Sequence, residues 1–132
     1  MYYLDTNICV YFLKGISTKI REKIRSISPT EIKIPSIVKA ELLYGAEKSQ
    51  KRKQNLDRIN DFLAPFEIID FDDKSSIEYS TIRLALEKQG NTIGPNDYII
   101  ASIVLANVGT LVTDNVKEFK RVKNLKVINW AK

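Results

Sequence analysis

The stretch Met1-Tyr-Tyr-Leu-Asp-Thr-Asn7 changes character at one residue. Tyr2, Tyr3 and Leu4 are bulky and β-favouring, with no polar alternation, so they read as a short buried strand. Asp5 ends the apolar run. Thr6 and Asn7 are helix-capping types, and Ile8 to Lys14 then read as a short helix closed by Gly15. An acid therefore sits at the carboxyl end of a strand, just before a helix. In open parallel α/β sheets that is where ligands bind.

The rest of the chain repeats the alternation. Ser17 to Ile27 is an amphipathic helix with Ile20, Ile24 and Ile27 as its stripe, ended by Ser28-Pro29. Glu31 to Ile34 is a strand. A helix from Ile37 to about Lys48, with Ser36 as its cap, carries Ile37, Ala40 and Tyr44; Glu41 shares that stripe, facing the interior or a cleft at its margin. Gly45 offers close helix packing. Ser49 to Arg58 is polar and basic and runs on to Phe62 and Leu63, as one long helix or two joined. Phe66 to Phe71 is a strand. Asp72 or Asp73 caps a helix from Lys74 to Gln89, whose stripe is Ile77, Ser80 or Thr81, Leu84 and Lys88, with Gly90 closing it. Asn96 caps a helix from Tyr98 to Asn107, with Asp97 at the head of an apolar face of Ile100, Ala101, Val104, Leu105 and Val108; Gly109 closes it. Thr110 to Thr113 is a buried strand followed by Asp114-Asn115. A short helix, Val116 to Lys120, and a terminal strand or tail, Val127 to Trp130, complete the pattern. Strands alternating with helices predict one α/β domain over residues 1–132, with a mainly parallel central sheet.

Composition narrows the chemistry. The chain is 44% hydrophobic and 28% charged, ordinary for a soluble protein. It has no run approaching the ~18 apolar residues of a membrane span and no signal-peptide pattern. Its single cysteine, Cys9, lies in the apolar run Ile8–Leu13 and reads as core. A cytoplasmic location is the expectation. The net charge of +5 favours polyanionic partners. With no histidine, Ser-His-Asp, Cys-His and paired-histidine mechanisms are excluded, as is histidine-ligated zinc.

Asp5, Glu41, Asp97 and Asp114 compete for one pocket, with Glu118 a further candidate. Singly, each has an ordinary reading: helix cap, solvated helix residue, charge on a helix dipole, loop residue, or, for Asn115-Val-Lys-Glu118, a capping box. Together they do not. Two carboxylates ~4 Å apart repel by roughly 4 kcal/mol at an effective dielectric of 20, against ~1 kcal/mol for a cap. Such a cluster needs protonation or a cation, and all-oxygen ligands favour Mg²⁺, or Mn²⁺ in its place.

Leu4-Asp5-Thr6-Asn7, Glu41-Leu-Leu-Tyr-Gly45, Ile93-Gly-Pro-Asn-Asp97 with Ile100-Ala101, and Val112-Thr-Asp-Asn-Val-Lys-Glu-Phe119 resemble, in order, the motifs of PIN-domain ribonucleases, in particular the VapC toxins of bacterial toxin–antitoxin pairs. The resemblance implies a three-layer α/β/α fold. It implies that Asp5, Glu41 and Asp97 hold the metal, that Asp114 or Glu118 closes the site, that Thr113 lies at the pocket floor, and that Thr6, Asn7 and Asn115 support it. It further implies Mg²⁺-dependent RNA hydrolysis to 5′-phosphate and 3′-hydroxyl ends, a structured target such as tRNA, a VapB-like antitoxin and a homodimer. Lys48, Lys51, Arg52, Lys53, Lys117, Lys120 and Arg121 are candidate guides for the RNA backbone, though each also reads as part of a solvated helix face. Two rival readings stand beside this one. Asp70-Phe-Asp72 after an apolar strand is similar to a haloacid-dehalogenase-like phosphatase motif, with Lys74 out of place. The other rival is a non-catalytic module that binds RNA or protein.

Overall fold

The computed structural model describes residues 1–132. Its strands are β1 (Tyr2–Leu4), β2 (Ile32–Pro35), β3 (Glu67–Ile69), β4 (Thr110–Val112) and β5 (Lys126–Ile128). They form one sheet in the order β3-β2-β1-β4-β5, every neighbouring pair parallel. Leu4, Ile32, Ile34, Leu111 and Val112 are fully buried. Such non-alternating strands suit a sheet covered on both faces.

The connections are helical. α1 (Thr6–Lys14) and α2 (Thr18–Ser26) join β1 to β2, and α3 (Ser36–Glu47) and α4 (Arg52–Leu63) join β2 to β3. α5 (Asp73–Gln89) and α6 (Pro95–Ala106) lead back to β4, and the short α7 (Val116–Phe119) precedes β5. The first two crossovers step outward from β1 and the third returns past it. Right-handed connections therefore place α1–α4 on one face and α5 and α6 on the other. The result is the expected three-layer α/β/α arrangement, with a sheet that is wholly parallel. Winding reverses between β1 and β4, the point where such sheets open a crevice at their carboxyl ends. There the Asp5 amide donates to the Val112 carbonyl at 2.9 Å.

Most helix ends follow the sequence reading. Ser17 and Asp72 accept from the amides of Ile20 and Ser75, and Gly15 and Gly90 take the left-handed conformation at φ +67°. Two caps differ. Pro35 rather than Ser36 precedes α3, and Gly94 rather than Asn96 precedes α6, with Pro95 in the first turn, where its missing N–H costs nothing. The basic segment after α3 is a second helix, broken from the first at residues 48–51.

Three faces are rotated from expectation. On α5, Ile77 and Leu84 are 67% and 54% exposed, while Ser75, Ile82 and Leu86 are buried. Positions 75, 79, 82 and 86 also repeat at four and three residues, and α6 packs on that side, Tyr79 against Tyr98 at 6.1 Å. On α3 the core face is Val38, Leu42 and Ala46; Ala40 and Tyr44 are exposed, and a Cβ at Gly45 would meet nothing within 4 Å. Val108 leaves the α6 face altogether. It is 84% exposed with φ +53°, and its amide and that of Gly109 bond back to Leu105 and Val104. Val108 thus occupies the left-handed position of a Schellman turn. Gly109 is needed for close approach: a Cβ there would lie 2.3 Å from the Tyr3 ring.

Candidate active site

Asp5 is the cap of α1, so its ordinary reading is correct: Oδ1 accepts from the Thr6 amide at 2.8 Å. A cap needs only one oxygen. Oδ2 accepts from the Thr113 hydroxyl at 2.6 Å, and that hydroxyl oxygen accepts from the Asn115 amide at 3.0 Å. Thr113 is fully buried and Asp5 nearly so. The end of β4 therefore orients the acid at the end of β1.

The other acids arrive from separate elements. Glu41, half-buried on α3, accepts from the Thr6 hydroxyl at 2.7 Å. Thr6 thus serves two carboxylates, one by its amide and one by its side chain. Asp114, beyond β4, accepts from the Tyr11 hydroxyl of α1 at 2.7 Å. Glu118 on α7 accepts from the Asn115 side chain at 3.0 Å, so this segment makes no capping box. Asp97 lies in the first turn of α6. A Cβ at Gly94 would stand 3.2 Å from its Oδ2, so glycine keeps that side of the carboxylate open.

These charges feel one another. Asp97 is pushed up to about 6, first by burial and then by Asp5, Glu118 and Glu41. Asp5 is also raised, chiefly by burial, with Glu41 and Asp114 adding; the Thr113 and Thr6 hydrogen bonds oppose the shift. Those bonds favour the ionised form of Asp5, whose charge then opposes ionisation of Asp97. The charge of Asp114 acts on Asp5 and that of Glu118 on Asp97. No lysine or arginine forms an ion pair with any of the five acids. Nor do any three of them converge into a ready-made metal cage.

Asn7 is exposed and makes no side-chain hydrogen bond, contrary to its expected supporting role. Thr6, Thr113 and Asn115 do make supporting contacts. Tyr11 is the residue that sequence reasoning missed. The available signal was a hydroxyl in an apolar helix, which must find a partner. Cys9 is buried core, and burial holds its thiol well above the ordinary range. Asp72 caps α5 and Asp70 follows edge strand β3, two strands from β1, so the phosphatase reading loses its site.

The basic candidates separate into two groups. Arg52 pairs with Glu47 at 2.6 Å, Lys53 with Asp57 at 3.1 Å, and Lys48 lies over the Tyr44 ring, while Lys51 beside them is exposed and forms no ion pair. Lys117 and Lys120 are exposed without an ion-pair partner, and Arg121 donates to the Thr92 carbonyl at 2.8 Å.

A parallel sheet with acids gathered at its switch point defines a class, and the PIN-domain family model matches residues 2–125. Ribonuclease VapC2 of Rickettsia felis is 45% identical over the whole chain and 99% of its own length. The tRNA(fMet)-specific endonuclease VapC of Shigella flexneri is 35% identical, with 98% of each chain covered. The structure of VapBC2 from Rickettsia felis bound to a promoter DNA fragment superposes with a TM-score of 0.92 at 45% identity, covering 98% of each chain. The chain belongs to the PIN-domain family and, within it, to the VapC ribonucleases.

Proposed function

We propose that this chain is the Mg²⁺-dependent endoribonuclease toxin of a toxin–antitoxin pair, and that Asp5, Glu41 and Asp97 hold the metal with Asp114 and Glu118 flanking it. One observation carries the reading: Asp5, Glu41, Asp97 and Glu118, from four separate segments, are near enough for the other three to add to burial in lifting Asp97 to about 6, and none of them is paired with a lysine or arginine.

The donor set fits a hard divalent ion. It is all oxygen, and Gly94 leaves room beside Asp97. Mg²⁺ keeps several waters and binds through one or two carboxylates together with substrate phosphate, so Asp5, Glu41 and Asp97 would hold it partly directly and partly through its waters. Mn²⁺ suits the same ligands. Bound there, such an ion supplies a water of lowered pKa and neutralises charge at the phosphate. The chain's own residues do the positioning. Thr113 and the Thr6 amide fix the Asp5 carboxylate, and the Thr6 hydroxyl fixes Glu41. Glu41, the more open of the two, orients the attacking water and takes its proton. As the water oxygen bonds to phosphorus the P–O3′ bond breaks and the departing O3′ takes a proton from solvent, so the products would be a 5′-phosphate and a 3′-hydroxyl.

The relatives' names supply substrate and partner. Two are tRNA(fMet)-specific endonucleases, and the structural neighbours include VapBC assemblies, some of them on DNA. These names support a tRNA target and a VapB-like antitoxin for this chain, and a homodimer in a cytoplasmic setting completes the proposal. The test is incubation of antitoxin-free protein with total RNA in Mg²⁺ or EDTA, followed by end-group mapping. Cleavage only with Mg²⁺, leaving 5′-phosphates and abolished by Asp5→Asn and by Asp97→Asn, is expected. Cyclic phosphate ends, or full activity in either variant, would refute the mechanism. RNA binding without cleavage would favour the non-catalytic module.

A further inference from the structure

Residues 115–132 hold six of the 21 basic residues and one of the 16 acids; the other 114 residues hold fifteen of each sign. The whole net charge of the chain thus lies on α7, β5 and their flanks. The one acid, Glu118, is bound by Asn115 beside the acidic hollow. Lys117, Lys120, Lys123 and Lys126 are exposed and form no ion pair.

This strip leads into a cavity of about 410 Å³ between α5, the end of α6 and the loop before β5. Arg121, only three residues beyond Glu118, lines it with Lys123 and Lys126. Ile82, Leu86 and Val122 make an apolar floor, with Gln89, Asn124 and Thr81 among the polar wall groups and Glu78 the sole carboxylate. Arg121 spends one N–H on Thr92, and its other donors are uncommitted. The chain's only two non-glycine residues with positive φ, Val108 and Asn124, both border this cavity.

We propose that the α7–β5 strip is a track for the RNA backbone, and that the cavity at its end takes one unstacked nucleotide remote from the scissile bond. Proteins that select RNA read unstacked bases in this way. The phosphate meets Arg121, Lys123 and Lys126, the base covers the apolar floor, and the amide groups of Gln89 and Asn124 meet its edge. This rests on the ribonuclease reading and deepens it by naming a second place where the substrate is held.

The probe is fluorescently labelled bulk tRNA, with binding followed by anisotropy in EDTA, so that no cleavage is required. Lys123→Gln with Lys126→Gln is expected to weaken binding about tenfold and to flatten the salt dependence by about 0.7 in log–log slope for each phosphate no longer neutralised. Lys19→Gln with Lys23→Gln, which removes the same charge from α2, is expected to change little. Ala85→Leu, filling the cavity from exposed α5, is expected to weaken binding with the salt slope kept. Equal effects of the two lysine pairs would overturn the track, and full binding by Ala85→Leu would overturn the nucleotide pocket. Loss of affinity for an antitoxin alone would reassign the surface to protein. Failure of the wild type to cleave RNA with Mg²⁺ would sink the catalytic reading and leave these binding outcomes standing.

Discussion

The acidic hollow and the basic strip meet just after β4, where Asp114 and Glu118 lead into the strip, yet they are built in opposite ways. Four of the five acids are held by hydrogen bonds: Asp5 by Thr6 and Thr113, Glu41 by Thr6, Asp114 by Tyr11 and Glu118 by Asn115. The lysines of the strip are held by nothing. Like charges crowded into a partly buried site must be fixed by the fold, which loses stability to hold them. Charges spread over a surface cost little and need no fixing. Substitutions in the hollow should therefore move activity and stability in opposite directions, whereas those on the strip should move binding alone.

Asp97→Asn should separate the two regions most clearly. Cleavage should fall by at least about 10²–10³-fold, as for loss of a group that acts on developing charge. Metal-free stability should rise by about 1 kcal/mol. The full pKa displacement would correspond to about 3 kcal/mol, but Asp97 is only half-buried and solvent screens the rest. Mg²⁺ should raise the Tm of the wild type and leave that of Asp97→Asn nearly unchanged. Calorimetry with and without Mg²⁺ checks both statements, and a destabilised variant would mean that Asp97 serves as a structural cap.

The same acid sets the pH response. Its folded pKa, about 6, stands above the ordinary value of 3.8, so between those values the folded state binds the extra proton. The associated stability is full below pH ~4 and lost as pH rises through ~6. Metal-free wild type should accordingly lose stability across that window relative to Asp97→Asn, by about the same 1 kcal/mol. Chemical denaturation at pH 4.5 and pH 7 reads the difference. A smaller effect belongs to Thr113→Val, which removes the hydroxyl from Asp5 and keeps the shape. Removing such a supporting hydrogen bond should cost 10–100-fold in cleavage or metal affinity. Wild-type behaviour would show that the Thr6 amide suffices to orient Asp5.

Much of this contrast was legible in the sequence. Asp5 and Asp114 end apolar runs too short for anything but buried strands, so their place at one edge of a parallel sheet followed from pattern alone. Glu41 and Asp97 needed family motifs to join them, because a helix period gives a face and not its neighbour. Helical phase was the least legible feature. α5 carries two incomplete stripes, and only the docking of α6 selects Ile82 and Leu86 over Ile77 and Leu84. Tyr11 was hidden among apolar neighbours. The cavity was invisible, since its walls come from residues 78–89, 105–109 and 121–126, which meet only after folding. The two basic stretches, 48–53 and 117–121, looked alike as sequence. Glu47 and Asp57 engage Arg52 and Lys53 and leave only Lys51 of the first stretch as open as the lysines of the second.

Val108 tests, through a modest change in stability, whether the strip's end is as unconstrained as its lysines. It holds φ +53°, where a β-branched side chain crowds its own backbone, at a cost of roughly 1–2 kcal/mol. Being 84% exposed, it recovers little from burial. Glycine would relieve the strain but lose about 0.5–1 kcal/mol of backbone entropy on folding. Asparagine tolerates the conformation without that entropic loss. Val108→Asn should therefore stabilise the chain by about 0.5–1 kcal/mol, a Tm rise of a few degrees, with Val108→Gly gaining less. If instead both substitutions destabilise it, the valine side chain is covered in solution, and the cavity rim meets a second copy of the chain rather than open solvent. The order asparagine, glycine, valine would place the strain in the backbone alone and leave the rim free to receive a nucleotide.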